Sequence, residues 1–257
     1  MVTLVTHSLP QPMPKQPFAD QPDVPPGTRA AGIAIALATV LSTVFVALDE
    51  SGGGQGQLAI LQSIAQLATL KAAVHGVAIA SLCAYAFGYS ALARRLSLQR
   101  PAVLAGLAAY LMGCVALVGA TVVDGFVIPH LAADAIVGSP MRLQVGYELV
   151  HAAGLALTDA AKIGWLLQAA GALAWAGVLM GEAGLARVVG IVGAVANLAV
   201  GAAVLGAGAN MSMTAILTIL LAQLVWNLAA ALWLARAPRA QSGTSFQSAR
   251  IAGSVGA

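Results

Sequence analysis

The sequence predicts an all-α, polytopic membrane protein: a bundle of six transmembrane helices with one or two further helices at the outer membrane surface. Three observations carry this. Sixty per cent of the 257 residues are apolar and 8% are charged, against roughly 25% charged in a soluble domain. So few charges do not cover a water-facing surface, and a mean hydropathy of +0.88 makes lipid the solvent for most of the chain. Six apolar stretches each approach the roughly 20 residues that a helix needs to cross the hydrocarbon core. The basic residues gather in alternate connecting segments, which is the pattern that orients membrane proteins.

Taken in order, residues 1–28 hold Pro10, Pro12, Pro14, Pro17, Pro22, Pro25 and Pro26 with scattered apolar residues, and read as a disordered cytoplasmic tail. No basic start runs into an apolar core there, so the segment is not read as a secretory signal. The six spans follow at about Ala30–Leu48, Ala72–Ala93, Ala102–Val123, Ile163–Met180, Val188–Gly208 and Ala215–Ala235, within a transmembrane domain of residues 29–236. The first is rich in Ile, Val and Thr, which matters little in lipid, where only a helix pairs every backbone group internally. Residues 237–257 are small and polar and form a second loose tail.

Two stretches between the spans are helical in pattern without the composition of a crossing. In Leu58–Leu70, Leu61, Ile64, Ala65 and Ala68 share one face, which predicts a helix lying along the outer surface after the flexible Gly52-Gly53-Gly54 joint. In Arg142–Ala161, Glu148, His151 and Asp159 are costly at the bilayer centre, about 2.5–3.5 kcal/mol for a carboxylate. That stretch is predicted to be an outer interfacial or re-entrant helix. Gly177 and Gly181 form a GxxxG pair, and Gly190, Gly193 and Gly201 punctuate the fifth span; close packing of helices, within the chain or in a homo- or hetero-oligomer, is the ordinary use of such residues. Trp165 and Trp233 near span ends are expected interface anchors.

With the N-terminus inside, cytoplasmic segments hold Lys15, Arg29, Arg94, Arg95, Arg100, Arg187, Arg236, Arg239 and Arg250, and the outer segments hold Lys71, Arg142 and Lys162. That is nine against three, so both termini are predicted to be cytoplasmic. A net charge of +3, spread over short segments and tails, gives no footprint for nucleic acid. Cys83 and Cys114 sit in apolar stretches as small core residues.

Of the ionisable residues in or near the membrane, nearly all are expected at its outer edge: Asp49 and Glu50, His75, Asp124, His130 and Asp134, Glu148 and His151, Asp159 and Lys162. Ionisable groups at membrane depth are costly unless paired, and so mark functional candidates. Glu148 and His151 are three apart on one helix face, the Glu-x-x-His arm of carboxylate-bridged metal sites. His75, His130 and Asp124 would complete a mononuclear centre with them, imidazole and carboxylate suiting zinc, iron or copper. Tyr147 and Asp159 would orient the imidazoles. Met211 and Met213, with Met141, add thioethers that favour Cu(I). The simplest catalytic chemistry would be a metal-activated water with Glu148, or Asp124, as the proton acceptor. A solvated rim of unrelated surface groups is the bland alternative.

Motifs for zincins, nucleotide-binding loops and serine hydrolases do not occur. Haem b is disfavoured, since only His75 lies inside a span. A transporter would instead line a pore with Thr39, Thr43, Gln168, Asn197, Gln223 and Asn227. A structural or assembly subunit would use the bundle alone.

The segment Gly164-Trp-Leu-Leu-Gln-Ala-Ala-Gly-Ala-Leu-Ala-Trp175, followed by Gly184-Leu-Ala-Arg-Val-Val-Gly-Ile-Val-Gly193, resembles small six-helix bacterial integral membrane proteins. In these a span ends, a short Leu-x-Arg turn follows and a glycine-rich span begins. The resemblance covers roughly residues 70–235. It implies the same fold and a bacterial inner membrane, and carries no activity and no catalytic residue. The Ala-, Gly- and Leu-heavy composition suits a GC-rich bacterial genome.

Overall fold

The computed structural model describes residues 27–48, 53–208 and 211–236, all within one compact unit spanning 25–238. The two tails, Asp49, Glu50 and Asn210 lie outside the described residues. The chain forms α1 (Thr28–Ala47), α2 (Gln57–Gln66), α3 (Ala68–Arg95), α4 (Pro101–Val122), a π-helical turn (Val123–Val127), α5 (Ile128–Ile136), α6 (Pro140–Met180), α7 (Leu185–Gly206) and α8 (Met213–Ala235). Among the described residues there is no strand. Six helical segments are long and apolar enough to cross a membrane: α1, α3, the α4–α5 rod, α6, α7 and α8.

Local sequence sets the boundaries. Pro101 and Pro140 open α4 and α6 at positions where their missing N–H is not needed. Ser139 and Ser212 cap α6 and α8 by accepting from the backbone N–H of Arg142 and Ala215. Ser97, at φ 73°, and Gly184, at φ 64°, take the left-handed conformations that reverse the chain after α3 and before α7.

The spans pack through close backbone approach. α4 and α6 run antiparallel and meet at two glycine pairs seven residues apart. A Cβ on Gly171 would stand 2.5 Å from the Gly106 carbonyl oxygen, and one on Gly113 would stand 2.7 Å from that of Gly164. In lipid, where burial of apolar surface gives no drive between helices, this contact is what holds them. Gly190 and Gly193 pack as expected, against α6 and Trp226. Gly177 and Gly201 do not: a Cβ on either would meet nothing within 4 Å, so the GxxxG face of α6 points out of the bundle.

Inside, Tyr89 is sandwiched between Trp175 (ring centroids 5.4 Å apart) and Trp226 (6.0 Å), with Tyr110 at 4.4 Å. Trp233 is buried beneath the Arg95 guanidinium, 3.6 Å from its ring centroid, and Arg95 Nη1 donates to the Trp233 carbonyl. It clamps α8 to α3, and the expectation of an interface anchor there is corrected.

The 41 residues of α6 rise about 60 Å at 1.5 Å per residue, twice the roughly 30 Å hydrocarbon core. The stretch expected to be a separate interfacial helix, Arg142–Ala161, is therefore the first half of one unbroken rod. Nothing between Ala161 and Ile163 breaks a helix, so the backbone continues. Together α2, α5 and the first half of α6 build a lobe beyond the bundle, with its own core of Leu61, Ile128, Ala132, Ala135 and Val150. The opposite end carries Arg94, Arg95, Arg100 and Arg187, with Arg100 paired to Glu182 at 3.3 Å.

Candidate functional site

At the root of the lobe, α3 and the π turn join through three ionisable side chains. Lys71 and His75 are one turn apart on the inner face of α3, and both are buried. Asp124 lies on the π turn, where an extra backbone residue per turn interrupts the α4–α5 rod; such turns recur at functional sites. Asp124 Oδ1 accepts from Lys71 Nζ at 3.2 Å, and its Oδ2 lies 3.0 Å from His75 Nε2. The side chains of Lys71, His75 and Asp124 are 9%, 8% and 27% exposed, so the carboxylate alone keeps an edge toward solvent.

Gly125 permits the approach. A Cβ there would collide with the Cβ of His75 and stand 2.7 Å from its Cγ. His75 Nδ1 lies 2.8 Å from the Lys71 carbonyl oxygen, an atom that only accepts, so Nδ1 carries a hydrogen and donates it. Its Nε2 faces Asp124 Oδ2 at 3.0 Å, so both ring nitrogens are tied to oxygen atoms and one carboxylate bridges the imidazole and the Lys71 ammonium.

Of the five residues expected to form a metal shell, the structure joins His75 and Asp124. His130 is 78% exposed on α5, and its Nε2 faces Asp134 at 3.7 Å one turn along the same helix. Glu148 and His151 are exposed on the lobe half of α6. Among the described residues no three His, Cys, Asp or Glu side chains form a group able to hold a metal ion. The physical reason is the continuity of α6, which carries Glu148 and His151 up the lobe, away from the root where His75 and Asp124 meet. Met141 is exposed near the start of α6, and Met211 packs on the Val200–Val204–Ile219 cluster; the Met213 side chain lies outside the described set. Asp159 is exposed, and Lys162 Nζ donates to the Gly208 carbonyl at 2.6 Å.

Lys71 and Gly125 are the members of the site that sequence reasoning missed. The i, i+4 spacing of Lys71 and His75 in an otherwise apolar helix start was the available signal.

Deeper in the bundle, the expected pore residues separate into small hydrogen-bonded groups. The Tyr85 hydroxyl donates to Thr39 Oγ1 at 3.1 Å and lies 3.1 Å from Ser42 Oγ. The Tyr89 hydroxyl donates to Asn227 Oδ1 at 2.6 Å. Gln168 Nε2 donates to Cys114 Sγ, and Asn197 Nδ2 to the carbonyl of Gly193 in its own helix. Thr43 faces outward and donates to the Thr39 carbonyl. Lys71, His75, Tyr85 and Tyr89 share one face of α3, with Ala78 and Leu82 forming an apolar break between the lobe-end pair and the tyrosines.

No family model, curated protein or solved structure matches the chain.

Proposed function

We propose that this is a bacterial inner-membrane protein, with both termini cytoplasmic and the lobe outside, that acts as a proton-linked carrier of a small solute. The arginines at the end opposite the lobe support this orientation. His75 lies twenty residues before Arg95 on α3 and Asp124 twenty-three after Pro101 on α4. At about 1.5 Å per residue both stand at the outer lip of the hydrocarbon.

The observation that carries the reading is the Lys71–Asp124–His75 triad, which ties an ammonium and an imidazole to one carboxylate in a desolvated place with one edge open to water. Intramembrane His and Asp groups in this arrangement are the usual parts of proton relays. Asp124 exchanges a proton with the outer water, and His75 holds it on the bundle side. Lys71 keeps the site from becoming a cation trap, since it already occupies one carboxylate oxygen. The tyrosine–threonine–asparagine groups beyond Leu82 form the inner half of the path, and passage across the apolar break requires a rearrangement, as alternating access does.

Proton flux into liposomes holding a pH-sensitive dye, driven by a potassium diffusion potential, tests this. Wild-type vesicles are expected to acidify several-fold faster than vesicles with Asp124→Asn or His75→Gln. Equal rates in all three, or rates equal to protein-free vesicles, reject the proposal.

A further inference from the structure

A second polar place lies between α7 and α8, far from the triad. Gly193 packs directly on the Trp226 ring, a Cβ there standing 2.5 Å from it, which fixes the register of this antiparallel pair. One turn further toward the lobe end, four residues on in α7 and three back in α8, the register brings Asn197 and Gln223 to the same level. Asn197 is 1% exposed. Its Nδ2 donates to the Gly193 carbonyl at 2.8 Å, and since a carbonyl only accepts, the amide cannot be turned round; Oδ1 is the atom left over. That Oδ1, Gln223 Nε2 and, one turn away, Trp226 Nε1 are buried and have no hydrogen-bond partner among the described residues.

Asn197 lies twelve residues into α7 and Gln223 twelve before the end of α8, about 18 Å from the arginine end at 1.5 Å per residue. This is near the bilayer centre, where an unsatisfied amide costs several-fold more than in a wet interface. Of the one acceptor and two donors left over on the two helices, Oδ1 and the amide at its own level are satisfied together by one molecule that donates to Oδ1 and accepts from Nε2. Ala196 and Ala222 beside them, and Ala172 on α6 at the same level, leave small side chains around the spot. The charge of the occupant follows from the sequence. α8 has no charged residue, α7 has only Arg187 at its start, and α6 has none after Lys162, so an ion would have no counter-charge.

We infer that the α7–α8 interface at Asn197 and Gln223 is a mid-membrane binding site for one small neutral molecule that both donates and accepts hydrogen bonds, the chemistry of water. The inference stands apart from the triad and from proton transfer.

Two measurements on the full chain in lipid nanodiscs test it, with water as the probe. In protein carrying ¹⁵N-glutamine, the Gln223 side-chain amide is expected to show a water cross-peak from a long-lived molecule, unlike the exposed Gln62 and Gln66, which exchange with bulk solvent. Thermal unfolding of Asn197→Val, Gln223→Met and the double variant is expected to be non-additive, the double melting close to the worse single variant, because each single change strands the same molecule. Absence of the cross-peak overturns the inference, and so does strict additivity, which would assign the two amides to separate surroundings. If a variant does not fold, the cross-peak in the wild-type chain decides alone.

Discussion

Truncating Asp124 to alanine removes the anion that two buried side chains share. Lys71 and His75 are less than a tenth exposed in their side chains, so both would lose the carboxylate in a place water hardly reaches. Breaking a buried pair in this way costs about 3–5 kcal/mol. The 27% exposure of the Asp124 side chain lets water replace part of the lost interaction, which favours the low end, about 3 kcal/mol. For about 200 ordered residues, 1 kcal/mol moves the midpoint by about 2–4 °C, so thermal unfolding in detergent should fall by about 6–12 °C. The informative control is the triple variant Lys71→Met, His75→Leu, Asp124→Leu. Replacing a whole buried ion group by apolar side chains is close to neutral or stabilising, so the triple should melt near wild type while losing proton flux. A midpoint for Asp124→Ala within about 2 °C of wild type would refute the reasoning, because Lys71 and His75 would then be satisfied without the carboxylate. A triple variant as unstable as the single would refute it too, since geometry and not charge would be holding the π turn.

Gly171→Ala forces a Cβ to within 2.5 Å of the Gly106 carbonyl and should prevent stable folding, seen as aggregation in size-exclusion chromatography. Gly177→Ala meets nothing and should gain up to about 1 kcal/mol from helix propensity. Tyr89→Phe strands Asn227 Oδ1, buried beside the aromatic sandwich, and should cost about 1–3 kcal/mol in the unfolding free energy. In whole cells, a cysteine at Glu148 should react with a membrane-impermeant maleimide and a cysteine at Ser97 should react only after lysis; the reverse pattern would invert the orientation.

The six crossings were legible because a run of apolar residues bounded by Pro101, Pro140 or an arginine turn has one reading in lipid. Their packing was less so. Gly177 and Gly181 have the spacing associated with helix pairs, yet the contact uses Gly106, Gly113, Gly164 and Gly171, whose spacing of seven appears once α4 and α6 are known to be partners. The π turn has no sequence signature: the third span was expected to end at Val123, with Asp124, His130 and Asp134 in an outer loop, whereas the helix runs on through the π turn into α5, and it is the fit of Asp124 between Lys71 and His75 that gives the extra residue a place. His75 and Asp124 were legible as costly groups at matching depth. Glu148 and His151 were expected on a separate outer helix beside the other site residues, whereas α6 runs unbroken through them and carries them along the lobe.

The α5–α6 hairpin of the lobe hangs on two arms of unequal stiffness. One is α6, unbroken from Pro140 to Met180; the other, α4 into α5, is interrupted at Val123–Val127. A push on the tip cannot bend the first without breaking its hydrogen bonds, so the strain must be taken up at the weak point of the second, where Asp124 is fastened. The hairpin thus works as a splinted lever, and whatever grips it from outside pulls on the one carboxylate that ties the lobe to the bundle.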